Sequence, residues 1–401
     1  MEYPKDIKMN KNKNKYMLYI ILYALTYFFA STLIYYISIF AGYSGLGLPV
    51  FGGGDDGEFY YQEAINVAND LPAILTSIHP KVQGLILKMF HTEEVFILKI
   101  FNLLGSLLTL LVCLRIISII HKKERSFIVY KILIVMLAFY PSFLLNSNLS
   151  IIRDSWIVFY YMFSIYLTLN ILKINNLYFK MINLVLLCFS LWMLMGYRKY
   201  ALLSYLAALI LYLLFISKKP SKKRIKILFL FTFAGFSIVY SFLKSYRFPV
   251  VNLSLEDVFA YRENGLEIYA GGSQMYISLD QSNVGLFYLN YIYSVISNSL
   301  GPFPWQFTGI STVLLFFTES ILFLFIVYKI FKLRKKLSKF AYFLIINSII
   351  WFMLIGIFND NIGTAARLRM VGWVPLFIVF AKVYGEQLVQ RKSLKMKETI
   401  E

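Results

Sequence analysis

The chain is poor in the residues from which most metal and thiol centres are built: it has 2 Cys and 3 His among 401 residues. Cys113 and Cys188 both fall in apolar runs and in no C-x-x-C or zinc-ligand spacing, so neither an external disulfide nor a thiolate metal site is implied. His79, His91 and His121 are scattered, which excludes a close-spaced histidine metal cluster and leaves an acyl transfer that needs a histidine base few candidates. Acid is scarce too, with 21 Asp+Glu against 40 Lys+Arg and a net charge of +19. Such a charge ordinarily points to nucleic acid. Here the basic residues instead gather in alternate loops between apolar runs, so they read as a topology signal with attraction to an anionic leaflet, and nucleic acid is rejected as a partner.

What is abundant is apolar surface. Hydrophobic residues make up 59% of the chain, against roughly 45–50% in soluble domains. Runs long enough for a hydrocarbon core of ~30 Å fall at Tyr16–Ala41, Val95–Ile120, Ile128–Leu145, Ser155–Leu172, Phe179–Gly196, Ala201–Ser217, Ile227–Leu243, Ser311–Ile330, Phe340–Phe358 and Met370–Tyr384. The first is longer than the roughly 7–15 apolar residues of a cleavable signal, and no small-residue cleavage site follows it. Lysines before the first run, at Lys218 to Lys226, at Lys329 to Lys339 and at the C-terminus place both termini in the cytoplasm. The expectation is an all-α polytopic protein of about ten transmembrane helices, one membrane domain over residues 1–401, in a bacterial cytoplasmic membrane. Two long outer loops, 42–94 and 244–310, are expected to carry short interfacial or re-entrant helices, one of them over Val284–Ile296.

The outer face carries nearly all the groups capable of chemistry. Gly52-Gly53-Gly54 leads into Asp55-Asp56-Gly57-Glu58, and Ile78-His79-Pro80 follows. Elsewhere on that face lie Arg153-Asp154, Arg198-Lys199, Arg262 and the pair Arg367, Arg369. Carboxylates facing guanidinium groups suit transfer of a group from a phosphate-bearing donor. A carboxylate takes the proton of an attacking hydroxyl, and arginines hold the departing phosphate. Each feature also has a plainer reading: a solvated acidic turn at Asp55 and Asp56, or an acid complementing a helix dipole at Asp154. Two of these carboxylates could instead hold Mg²⁺ or Mn²⁺. Arg115 and Lys131 lie near cytoplasmic ends of their runs, where long stems carry the charge to the interface. Glu319 sits in mid-span, where an acid is costly and functional unless protonated or paired.

The order of these features resembles the glycosyltransferase-C superfamily of polytopic membrane enzymes, in particular the protein mannosyltransferase and aminoarabinose transferase branch. The likeness lies in Asp55 to Ala64, His79-Pro80, Asn102, the stretch Pro141 to Asp154, and Arg367-Leu368-Arg369 with Pro375. His79-Pro80 stands where paired prolines are more usual. The resemblance implies a polyprenyl-phosphate-linked sugar as donor, a saccharide or lipid-linked acceptor, and Asp55 or Asp56 as base. Asp154 would be a second acid, with Glu58, His79, Arg153, Arg198, Lys199, Arg262, Arg367 and Arg369 binding substrate. A repeat-unit polymerase shares this chemistry. A flippase for a lipid-linked saccharide would need mid-membrane polar residues, among which Glu319 is nearly alone.

Overall fold

In a computed structural model of the chain, residues 5–47, 56–121, 127–215, 237–238, 240, 242–247, 254–268 and 273–398 are described. The helices, in order, are α1 (Lys5–Phe40), α2 (Asp56–Ala68), α3 (Ile78–Phe90), α4 (Val95–Ile120), α5 (Phe127–Ala138), α6 (Pro141–Asn148), α7 (Asp154–Lys173), α8 (Leu177–Tyr197), α9 (Lys199–Phe215), α10 (Leu255–Ile268) and α11 (Val284–Leu300). They continue as α12 (Ile310–Lys332), α13 (Lys339–Phe358), α14 (Ile362–Leu368) and α15 (Met370–Glu398). Among the described residues there is no strand, only an isolated bridge between Gln274 and Asn361. The fold is all-α and polytopic, as expected.

Among the described residues six helices are long and apolar enough to cross a bilayer: Tyr16–Phe40, Val95–Ile120, Asp154–Lys173, Leu177–Tyr197, Ile310–Lys332 and Lys339–Phe358. Two pairs bent by 53° and 52°, α5 with α6 and α14 with α15, raise the number to as many as eight, and Lys199–Leu214 is a shorter apolar helix. The expected run Ile227–Leu243 lies largely outside the described residues; each of the others coincides with one of these helices. The first bend has a local cause. Pro141 opens α6 at its first position, where the missing N–H costs nothing but the ring clashes with the turn before it.

The chain divides into two compact units. The first comprises Met1–Arg198, Tyr328–Leu337 and Val374–Glu401. In it α7 packs between α4 and α8, α1 lies against α4 and α5, and α2 lies on α3. The last pair approaches closely at Gly84: a Cβ there would lie 2.5 Å from Val67 Cβ and 2.6 Å from the Ala64 carbonyl, so a side chain would push the helices apart. Leu46, Ala64, Leu87, Val95, Leu98 and Ile151 form one apolar cluster that fastens α2 and α3 to the end of α4. Each fully buried leucine contributes about 1.5–3 kcal/mol to that attachment.

The second unit comprises Lys199–Val327 and Ser338–Trp373. Here α13 packs against α9 and α11. The expected interfacial segment is the 17-residue helix α11, started by Asn283, whose side-chain oxygen accepts from the backbone N–H groups of Gly285 at 2.7 Å and Leu286 at 3.4 Å. A π-helical turn at Phe316–Ser320 interrupts α12 and contains Glu319.

Candidate functional site

The first unit builds its site on the segment between α6 and α7, whose backbone carbonyls, with that of the last residue of α6, would be costly to bury bare. Side chains from α3 and α4 satisfy them. His79 Nε2 and Gln83 Nε2 donate to the Ile151 carbonyl at 2.7 and 3.0 Å. Asn102 donates to the Ile152 carbonyl at 3.0 Å. Lys99 Nζ donates to the carbonyls of Asn148 at 2.8 Å and Leu149 at 3.2 Å, placing a fully buried ammonium at the negative end of α6. The segment is thereby held up to the point where Arg153 and Asp154 begin α7.

Asp154 and Arg198 are both buried, with Arg198 Nη1 3.2 Å from Asp154 Oδ1. The Arg153 guanidinium lies 5.8 Å from the centre of the Tyr60 ring, and Tyr60 stands edge-on to His79 with ring centres 5.5 Å apart. Burial pushes the Tyr60 hydroxyl above its ordinary value; the charges of Asp56 and Asp154 push the same way, while Arg153 and Arg198 oppose them. All four charges therefore act on Tyr60, a buried residue of α2. Asp56 itself is exposed in the first turn of α2, next to Glu58, where acids suit the helix dipole. Asp55 lies outside the described residues.

His79 is fully buried, and desolvation pushes its imidazole down to about 4 although the Ile151 carbonyl favours the protonated ring. It is therefore neutral at physiological pH, and Nε2, facing a carbonyl, carries the hydrogen. Between about pH 4 and 6.5 the unfolded chain binds a proton here that the folded chain does not. This contribution to stability is complete above about 6.5 and is lost as the pH falls toward 4, by on the order of 3 kcal/mol. Thermal unfolding in detergent should show His79→Gln, which keeps a donor for Ile151, losing less on acidification than the native chain; parallel pH curves would remove His79 from this account.

In the second unit the sequence-predicted arginines are engaged internally. Arg262 pairs with Asp360 and also donates to Ser294 Oγ at 3.1 Å and to the carbonyls of Gly356 at 3.0 Å and Asn359 at 2.8 Å. It ties α10 to α11 and to the end of α13. Asp360 is buried beside it, which raises its carboxyl, while Arg262 and the backbone N–H groups around it pull the other way. Arg369 pairs with Glu319 and donates to the Gly301 carbonyl, with both charged side chains fully buried. Its guanidinium lies 5.0 Å from the Phe323 ring centre, and Trp373 stacks on that ring at 3.8 Å. Glu319 is thus paired, not free. Arg367 is half-buried and Lys199 exposed.

Of the residues singled out in the sequence, the first unit brings together Asp56, His79, Arg153, Asp154 and Arg198. Tyr60, Gln83 and Lys99 belong to the same group and were not among the expected site residues. Tyr60 lies within the stretch Asp55 to Ala64 that carries the resemblance, and Lys99 is a lysine near the start of an apolar run; nothing in the sequence marks Gln83. Among the described residues no group of three or more His, Cys, Asp or Glu could hold a metal.

No protein-family profile matches the chain, and no curated protein does. Two solved structures of the Archaeoglobus fulgidus oligosaccharyltransferase are similar to it. One, tethered through a disulfide to an acceptor peptide containing the NVT sequon, aligns at 13% identity with a TM-score of 0.53 over 92% of this chain and 49% of that one. The other, the apo form, aligns at 14% identity with a TM-score of 0.52 over 95% of this chain and 52% of that one. The chain therefore spans about half the length of these structures and shares their fold.

Proposed function

We propose that the chain is a membrane glycosyltransferase. It moves a sugar from a polyprenyl-phosphate-linked donor to an acceptor at the outer face of a bacterial cytoplasmic membrane, in assembly of cell-surface polysaccharide or glycoconjugate. The observation that carries this reading is the grouping around Tyr60 of two carboxylates, Asp56 and Asp154, with two guanidinium groups, Arg153 and Arg198. An exposed carboxylate beside a buried, oriented ion pair divides the work of the reaction. Asp56, or Asp55 before it, takes the acceptor proton as the glycosidic bond to phosphate breaks. Asp154 keeps Arg198 fixed, and Arg153 meets the negative charge left on the polyprenyl phosphate. In the second unit Lys199 and Arg367 are the proposed phosphate-binding residues, and in the first His79 acts by fixing the segment that carries Arg153. Mg²⁺ or Mn²⁺ needs only one or two carboxylates where substrate phosphate completes the shell, and held by Asp55 and Asp56 it would neutralise that phosphate.

Deletion of the gene should make an intact lipid-linked saccharide accumulate, detected by mass spectrometry of the lipid extract. The purified chain should consume that lipid when given its acceptor. Hydroxyl acceptors and an acceptor peptide, the latter suggested by the tethered relative, are the arms to compare. An unchanged lipid-linked pool would end the reading, and accumulation confined to the inner leaflet would favour a flippase.

A further inference from the structure

The first unit has a cavity of about 630 Å³ remote from Tyr60, within the roughly 300–1,000 Å³ of ligand clefts. One wall is a stripe of α5, Ile128, Ile132, Val135 and Met136, with Lys131 set in it at helical spacing. The other is Leu388 and Arg391, successive on one face of α15. The two helices touch at Gly385, where a Cβ would lie 2.8 Å from Val129 Cγ2, and the cleft lies beside that crossing. Both walls belong to the bent apolar pairs that are long enough to span a bilayer, so hydrocarbon is the medium that meets the stripe.

The two cations sit where such a cleft would meet headgroups. Arg391 is the last residue of the apolar stretch Met370–Arg391, and Lys131 lies near the start of α5. Both are exposed. Lys131 Nζ is 5.5 Å from the centre of the Tyr19 ring on α1. Among the described residues no carboxylate lines the cleft. The acid nearest in sequence to its α15 wall, Glu386, is committed to His121 at 2.8 Å and to Lys382 at 3.9 Å. An apolar slot with two cations among its described lining residues, and no acid among them, matches one occupant, a lipid whose acyl chain fills the stripe and whose headgroup is anionic.

We propose that this cleft binds an anionic glycerophospholipid, with the acyl chain along Ile128, Ile132, Val135 and Met136 and the phosphate between Lys131 and Arg391. The proposal is independent of the transferase reading. Native mass spectrometry of the purified full chain, titrated with phosphatidylglycerol or phosphatidylcholine of matched chains, is the test. Phosphatidylglycerol should bind more tightly, and Lys131→Gln with Arg391→Gln should lower its affinity by up to about thirtyfold, each cation near a headgroup being worth a factor of about five. Met136→Trp, with both cations intact, should weaken both lipids by filling the slot. Excess inorganic phosphate should not displace the lipid. Equal binding of the two lipids, a preference that survives the double substitution, or displacement by phosphate alone would each overturn the assignment.

Discussion

Glu319→Gln is expected to destabilise the protein by about 3–5 kcal/mol, seen as loss of folded monomer after mild heating in detergent. The substitution removes the carboxylate from Arg369 while both side chains remain fully buried, and an uncompensated buried charge costs that much. Glu319→Leu combined with Arg369→Met should recover most of the loss, because replacing a buried ion pair by apolar groups of similar size is often neutral. The recovery will fall short by about 1 kcal/mol, since the Gly301 carbonyl loses its donor. The double variant also decides what Arg369 is for. If the guanidinium serves the donor phosphate, the refolded variant will need far more donor for half-maximal rate. If it is only a tie, the donor requirement will match the native chain, whereas Arg367→Gln, at a half-buried position, will still raise it. A single variant that is as stable as the native chain would show that the pair contributes nothing.

The positions of the helices were legible because each reports itself locally, through runs of apolar residues and loops of one charge sign. The break at Pro141 was not legible: the run Ile128–Leu145 reads as one continuous span, and the structure divides it between α5 and α6. The roles of the arginines were not. Arg262 meets Asp360 across 98 positions and Arg369 meets Glu319 across 50, so nothing near either residue announces the acid it meets. The sequence shows an arginine on the outer side, and that is equally what a phosphate ligand looks like. The bracing of the segment before Asp154 has the same origin. His79 and Asn102 reach it from 72 and 50 positions away, and the groups they satisfy are backbone carbonyls, which every sequence has. What could be read was the composition of the site, acids and guanidinium groups in the same loops; what could not was which of them meet each other across the fold.

That distinction decides how the acids should be tested. Asp154 is buried against Arg198, so Asp154→Asn would strand a guanidinium and lose folded protein along with activity, a result that says little about chemistry. Asp56 is exposed at the first turn of α2, where its charge complements the helix dipole and its removal costs only about 0.3–1 kcal/mol. Asp56→Asn should therefore leave the unfolding midpoint nearly unchanged while lowering the turnover number by about 10²–10⁴, the usual worth of a positioned general base. The half-saturating donor concentration should move little, because the donor phosphate is held by arginines and not by this carboxylate. Asp55→Asn run beside it assigns the role: whichever substitution carries the loss in turnover marks the base. If both variants turn over within a few-fold of the native chain, neither carboxylate takes the proton, and the group around Tyr60 binds substrate without performing the transfer.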